Sequence, residues 1–280
     1  MPYGTWIIRE IESPKGYVLS EEEIAVTIGK VDEVVEIELV NYFIKGNITL
    51  TKVDEDYPDN KLSGAAFEVY SDTNGDGKLD KDDTLLGEMK ELDGGVYQMS
   101  ELRYGKYLVK ETKAPTGFVL DEDVYAVSIE ENGKTYTVEN KAGVGFINAA
   151  QKGSLKIVKT SSDGKVEGFS FRVTGVDYDQ TFKTDKNGEI VIEGLRIGDY
   201  TVSEVSDKAS AGYILPADKQ ATVKVDATAI VQMHNEFRDT PKTGDDFNLG
   251  LWVSLAALSV VGAGVLGFVS YKNRKKKKED

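Results

Sequence analysis

Gly46-Asn-Ile-Thr-Leu-Thr-Lys52 decides how this chain is read. Ile48, Leu50 and Lys52 are spaced by two, so in a β-strand they share one face, opposite Asn47, Thr49 and Thr51. The pattern returns at Gly153-Ser-Leu-Lys-Ile-Val-Lys159, where Leu155, Ile157 and Lys159 share a face. An apolar strand face that ends in lysine, at corresponding places, predicts a repeated β-domain that buries an amine.

Other segments repeat in step with these two. Trp6-Ile-Ile-Arg-Glu10, followed by Pro14, Gly16 and Tyr17, matches Tyr107-Leu-Val-Lys-Glu111, followed by Pro115, Gly117 and Phe118. Tyr200-Thr-Val-Ser-Glu204, with Gly212 and Tyr213 downstream and no proline between, is a third copy. Closing strands end in Asn41, Asn148 and Asn235. Val, Ile, Thr and Tyr alternate with polar residues between frequent turn pairs such as Asn74-Gly75, Asp163-Gly164 and Asn187-Gly188. The chain therefore divides into a partial unit at 1–45, complete units at 46–151 and 152–238, and a terminal segment at 239–280. The first unit has no opening strand, and Met1-Pro-Tyr-Gly-Thr-Trp6 is neither basic nor apolar enough for a secretory signal. Both features imply an upstream region outside this sequence. The joints between units are very short, which predicts a stiff string.

Alternation puts a lysine, a glutamate and an asparagine on apolar faces in both complete units. Tyr107, Val109 and Glu111 share a face, as do Tyr200, Val202 and Glu204; Phe146 aligns with Asn148, and Val231 and Met233 align with Asn235. Burying such charges without compensation costs several kcal/mol each. A buried Lys–Glu ion pair, or side chains escaping at strand ends, would explain one instance. The same three residue types in two units point to shared chemistry. Desolvation favours a neutral amine and a neutral acid. A neutral amine can attack an amide held against it, with the acid bonded to the amide carbonyl and relaying the proton. The product is a Lys–Asn isopeptide bond, formed once per domain.

The three motifs together, from the Gly-x-Ile/Leu-x-Leu/Ile-x-Lys strand to the Glu motif and the final Asn, resemble the collagen-adhesin B-type domains, also called SpaA-like pilin domains. The resemblance covers nearly all of residues 1–238. It implies an all-β chain of tandem prealbumin-like (immunoglobulin-like) β-sandwiches. Carried over by motif, the cross-linking triads are Lys52, Glu111, Asn148 and Lys159, Glu204, Asn235. The first unit keeps Glu10 and Asn41 without a lysine, so no bond is expected within it.

Phe247 to Tyr271 carries no charge and is rich in Leu, Val, Ala and Gly, long enough for one C-terminal transmembrane helix over 247–271. The basic run from Lys272 to Lys278 places the C-terminus inside the cell. Just before the apolar stretch stand Thr240, Pro241, Lys242, Thr243 and Gly244. This order resembles the sorting signal of sortase substrates, which are cut between the Thr and the Gly (here Thr243 and Gly244). The resemblance implies a sortase as partner, then a peptidoglycan precursor or another pilin subunit, and the membrane before processing. Leucine is usual where Thr240 stands, which leaves the sortase class open.

Asp72, Asn74, Asp76, Lys78, Asp80 and Asp83 follow an EF-hand-like spacing, with Gly77 at the sixth place and Asp83 at the twelfth. These hard oxygens suit Ca²⁺, and a plain acidic hairpin loop is the alternative. No other cofactor is required. His234 is the only histidine and there is no cysteine, so disulfides are excluded and His-based triads are not expected. Net charge is −14, and the chain before residue 272 holds 28 basic and 46 acidic residues, a balance of −18. Such a body repels nucleic acid. The function classes that remain are a wall-attached stalk or minor pilin subunit, an adhesin for a host matrix protein, and the stalk of an enzyme encoded upstream. No exposed apolar or aromatic cluster points to a particular ligand, and collagen binding does not follow from the B-type resemblance.

Overall fold

Strands form wherever apolar residues alternate with polar ones. The computed structural model describes residues 2–238, and among these there is no helix. The first unit contains β1 (Gly4–Arg9) and β2 (Glu23–Ile28), paired antiparallel.

The second unit contains β3 (Lys45–Asp54), β4 (Ala66–Ser71), β5 (Thr84–Glu88), β6 (Lys90–Asp93), β7 (Val96–Arg103), β8 (Gly105–Lys113), β9 (Val124–Ile129), β10 (Thr135–Thr137) and β11 (Phe146–Asn148). One sheet runs β10-β3-β7-β6, with β11 also on β3; the other runs β5-β4-β8-β9. The two sheets enclose one core, in which Ile48, Leu50, Phe67, Val109 and Phe146 are fully buried. Each such side chain contributes roughly 1.5–3 kcal/mol by leaving water.

The third unit repeats this plan with β12 (Lys152–Ser161), β13 (Ser170–Gly175), β14 (Tyr178–Lys183), β15 (Glu189–Arg196), β16 (Gly198–Val205), β17 (Tyr213–Ile214), β18 (Lys219–Val223) and β19 (Thr228–Phe237). Its sheets run β15-β12-β19-β17 and β14-β13-β16-β18. In both units the opening strand pairs parallel with the closing one. Lys52 lies level with Phe146, two residues before Asn148, and Lys159 lies level with Met233, two before Asn235. That register brings each lysine to its asparagine. β19 extends two residues past Asn235, so the closing strand does not end at the asparagine there.

One expectation fails in the first unit. Its closing segment forms no strand: residues 33–41 have no ladder partner among the described residues, because nothing there corresponds to β3 or β12. Its apolar side chains are consequently uncovered. Ile7, Val35, Ile37 and Val40 are all exposed.

The joints are tied by more than short length. Arg196 forks onto Asp54 at 2.7 and 2.8 Å and reaches Asp56 at 3.0 Å, while Lys152 meets Asp56 at 3.1 Å. Asp54 is buried; burial alone would raise its carboxyl pKa, but the hydrogen bonds and charge of Arg196 hold it below the usual range. Tyr57-Pro58-Asp59-Asn60 forms a turn, closed by Asn60 N–H on the Tyr57 carbonyl, and its Tyr57 ring faces Arg196 at 5.0 Å. Arg103 stacks in the corresponding way on Phe43 of the first unit at 3.9 Å.

Candidate cross-linking sites

In the second unit the three predicted side chains meet in the dry core. Lys52, Glu111 and Asn148 are all buried. The Lys52 amine donates to Asn148 Oδ1 in a very short contact and to the Phe146 carbonyl at 3.2 Å. Asn148 Nδ2 donates to Glu111 Oε1 at 3.0 Å and Oε2 at 2.9 Å. Lys52 Nζ lies 3.5 Å from Glu111 Oε1. Burial lowers the Lys52 amine to about 8, against the charge of Glu111, which resists the fall. At that value roughly a tenth of the amine is neutral at pH 7, beside an amide carbon.

Backbone geometry holds the lysine in place. Lys52 N–H donates to the Gly95 carbonyl at 2.7 Å, and Lys159 N–H to the Gly188 carbonyl at 2.7 Å. Both glycines have positive φ, +87° and +78°. A Cβ on Gly188 would lie 2.7 Å from the Lys159 carbonyl oxygen. Any larger residue would push the opening strand away. These glycines read in the sequence only as turn formers.

The third unit is partly assembled. Asn235 Nδ2 donates to Glu204 Oε1 at 2.6 Å, repeating the contact in the second unit. Lys159 instead turns aside, donating to the Thr160 carbonyl at 2.5 Å and lying 4.2 Å from the Phe169 ring centre. Asn235 Oδ1 and Glu204 Oε2 are buried without partners. The vacant acceptor is the atom that Lys52 contacts in the other unit. Burial lowers the Lys159 amine and raises the Glu204 carboxyl, in both cases against their mutual attraction. In the second unit the other glutamate oxygen receives Asp121 N–H at 2.8 Å. The proline-free loop after Glu204 supplies no such donor.

The first unit keeps two members of the set. Asn41 Nδ2 donates to Glu10 Oε1 at 2.7 Å, and Ser20 N–H donates to Glu10 Oε2 at 2.7 Å, ten residues on, as Asp121 does for Glu111. No lysine amine reaches either group among the described residues. In all three units the glutamate sits on the amide nitrogen. The expected bond to the amide carbonyl is replaced because a carboxylate oxygen accepts from N–H, and the carbonyl is left for the amine.

The acidic loop at 72–83 uses its oxygens on its own backbone. Asp72 accepts from Gly75 and Gly77, Asn74 from Asp76, Asp76 from Lys78, and Asp83 from Thr73 and Asp80. Among the described residues no group of three or more His, Cys, Asp or Glu side chains is arranged to hold a metal ion. The loop keeps its shape in this conformation through these Asx-type bonds, the Asn74 Nδ2 bond to Asp80 and the Lys106 amine on the Gly75 carbonyl. His234 is exposed and bonds to Thr160 and Glu236, away from the triads. Thr240 to Gly244 and the apolar segment 247–271 lie outside the described residues; among those described, no helix is long and apolar enough to cross a membrane.

No curated protein matches this chain. Among solved structures, the Bacillus anthracis TIE protein is similar with a TM-score of 0.64 and 27% identity over 85% of this chain. The chain spans 42% of that protein's length. GBS52, the minor pilin of Streptococcus agalactiae, aligns with a TM-score of 0.32 and 17% identity over 72% of this chain and 100% of its own. The shaft pilin SpaA of Lactobacillus rhamnosus GG aligns at 0.31 and 14% over 71% and 100%. These last two likenesses are too slight to bear on function. The family described as SpaA: Prealbumin-like fold domain matches residues 1–42, 46–142 and 153–237. A match across all three units, two of them sandwiches whose opening and closing strands run parallel, makes this chain a member of the SpaA prealbumin-like fold domain family.

Proposed function

We propose that the chain is a structural cell-surface protein, a sortase-anchored stalk or minor pilin subunit whose complete units lock themselves with Lys–Asn isopeptide bonds. The observation that carries this reading is the buried Lys52 amine set against Asn148, with Glu111 on the amide nitrogen. The neutral amine attacks Asn148 Cγ, and the Nζ–Cγ bond forms as Cγ–Nδ2 breaks. Glu111 takes the proton that Nζ loses and delivers it to Nδ2, which departs as ammonia. Lys159, Glu204 and Asn235 do the same once Lys159 swings from Thr160 to the vacant Asn235 oxygen. Each reaction happens once and turns nothing over. With no cysteine in the chain, such a bond is the covalent staple left to small exported domains.

Anchoring rests on the order of the terminal segment: Thr240-Pro241-Lys242-Thr243-Gly244, an apolar stretch, then a basic tail. Incubation with a purified sortase and an amine nucleophile should cleave between Thr243 and Gly244 and join the amine to Thr243; an uncut chain would overturn the anchoring. An adhesin role, or service as the stalk of an upstream enzyme, uses the same anchored rod, and binding assays on immobilised matrix proteins distinguish the first of these. Calcium binding by the 72–83 loop is a separate proposal supported by its spacing alone. Calorimetric titration, with Asp76→Ala as control, tests it; extracellular sites of this kind bind with Kd of about 10⁻⁴–10⁻³ M.

A further inference from the structure

Asn148 sits on a closing strand of only three residues, β11, whereas Asn235 sits on one of ten, β19. β11 pairs with β3 over Phe146–Asn148 alone, while β19 pairs with β12 all the way from Thr228 to Asn235. The short strand is held on its other edge by a side chain. Asn140 Oδ1 accepts from Ile147 N–H at 2.6 Å, and Asn140 Nδ2 donates to the Ile147 carbonyl at 2.9 Å. A carboxamide thus stands in for a neighbouring strand beside the residue that precedes Asn148. Asn140 Nδ2 also donates to Asp121 Oδ2 at 2.7 Å, an oxygen that accepts from the Tyr125 hydroxyl at 2.8 Å. Burial would raise the Asp121 carboxyl, but the bonds from Asn140, Asp123 N–H and Tyr125 hold it below the usual range. Asp121 N–H is in turn the donor to Glu111 Oε2. One residue therefore braces the glutamate through its backbone and the amide through Asn140. The turn between Asn140 and β11 is seated closely on β3, since a Cβ on Gly145 would lie 2.8 Å from the Thr51 carbonyl oxygen.

We propose that Asn140, braced by Asp121, is a positioning residue for the cross-link of the second unit: through the Ile147 backbone it holds Asn148 Cγ against the Lys52 amine. It takes no part in the proton transfer. This inference rests on the cross-linking chemistry proposed above. The Asn148 amide must lie where the lysine and the glutamate converge, and a misplacement of about 1 Å costs on the order of a hundredfold in rate. Without the carboxamide, Ile147 N–H and C=O lose their partner and β11 is tied to β3 alone. The third unit places its asparagine by strand length instead, within the long β12–β19 ladder. Asn140 should therefore matter to the second unit and leave the third unaffected.

The test follows freshly synthesised full chain in time, with digestion and mass spectrometry of the branched peptides Lys52–Asn148 and Lys159–Asn235, so that the third unit serves as an internal clock. In Asn140→Ala the first branch should form on the order of a hundredfold more slowly, with the second at the parent rate. Asn140→Asp should also be slow, because its carboxylate would face that of Asp121. Adding Asp121→Asn to it restores a donor opposite an acceptor and should recover much of the rate, a rescue that a general loss of stability would not show. Tyr125→Phe keeps its ring against Phe146 and removes only the hydroxyl on Asp121. Where Asn140→Ala leaves the second unit unfolded, this variant decides: slower closure of the second unit supports the inference, and the parent rate overturns it. A first branch that forms at the parent rate in folded Asn140→Ala, or a double variant no faster than Asn140→Asp, overturns the inference and leaves the cross-linking intact. A parent chain that forms neither branch overturns the cross-linking and this inference with it.

Discussion

The second and third units place the same three side chains on corresponding strands, with Glu111 buried and Glu204 half-buried, yet only one of them has its amine on its amide. Lys52 touches Asn148, whereas Lys159 rests on Thr160 and leaves Asn235 Oδ1 and Glu204 Oε2 without partners. The difference lies in a side-chain torsion and a loop. The backbone register that delivers the lysine is the same in both. Strand pairing therefore specifies which residues meet, and the surroundings of the glutamate tune how readily they do. The first unit extends the series: the glutamate–asparagine pair persists with no amine at all.

The largest effect expected is on stability. Lys52→Met and Lys159→Met each remove a cross-link while keeping an apolar stem in the core, and leave Glu111 and Glu204 without the amine beside them. By the loop-entropy argument used for disulfides, a bridge closing a loop of this length is worth about 4–5 kcal/mol. For a domain near 100 residues that is a fall of about 20–30 °C in the affected transition. Differential scanning calorimetry should show one transition dropping per variant; a fall with Lys52→Met alone would mean that the third unit never closes.

A kinetic difference sharpens the contrast. In freshly folded chain followed by mass spectrometry, the first ammonia lost should come from the second unit, ahead of the third, because Lys159 must first leave its carbonyl partner. Equal rates, or the third unit leading, would mean that the two lysine conformations do not govern how fast each unit closes.

The pH dependence of the unlinked form is the next effect in size. In Asn148→Ala, Lys52 stays a free amine. Its folded pKa, lowered to about 8, lies below the ordinary lysine value of 10.5. Between these values the unfolded chain holds a proton that the folded chain has lost, so stability should rise with pH from about 8 to about 10.5. Urea titrations across that window should show the rise, and the same background with Lys52→Met should lack it.

The smallest effect is at the joint. Arg196→Ala deletes bonds to Asp54 and Asp56 and should cost roughly 1.5–3 kcal/mol, the range for hydrogen bonds to charged groups. The two triads should still close, as read by mass. A variant that loses a cross-link would show that the joint and the triads are coupled.

Strand alternation makes most of this architecture legible in the sequence. Ile48, Leu50 and Lys52 read as one buried face because period two is enforced by the pleat, and the repeats supply the asparagine and glutamate partners. What stays hidden depends on distance or on atom-level choice. Asp54 and Arg196 are 142 residues apart, and nothing local in either marks the other. The glutamate's choice of amide nitrogen over carbonyl turns on which atom the amine occupies. The uncovered face of the first unit escapes a sequence reading because Ile37 and Leu39 alternate as buried residues do, and alternation does not report whether a neighbour is there to bury them.

The central claim is that two amines have been exchanged for two amide nitrogens inside folded domains. The intact mass of the purified, denatured chain measures this directly. The account predicts a mass two ammonias below that of the sequence, with branched fragments joining Lys52 to Asn148 and Lys159 to Asn235. A mass equal to that of the unmodified sequence would contradict it.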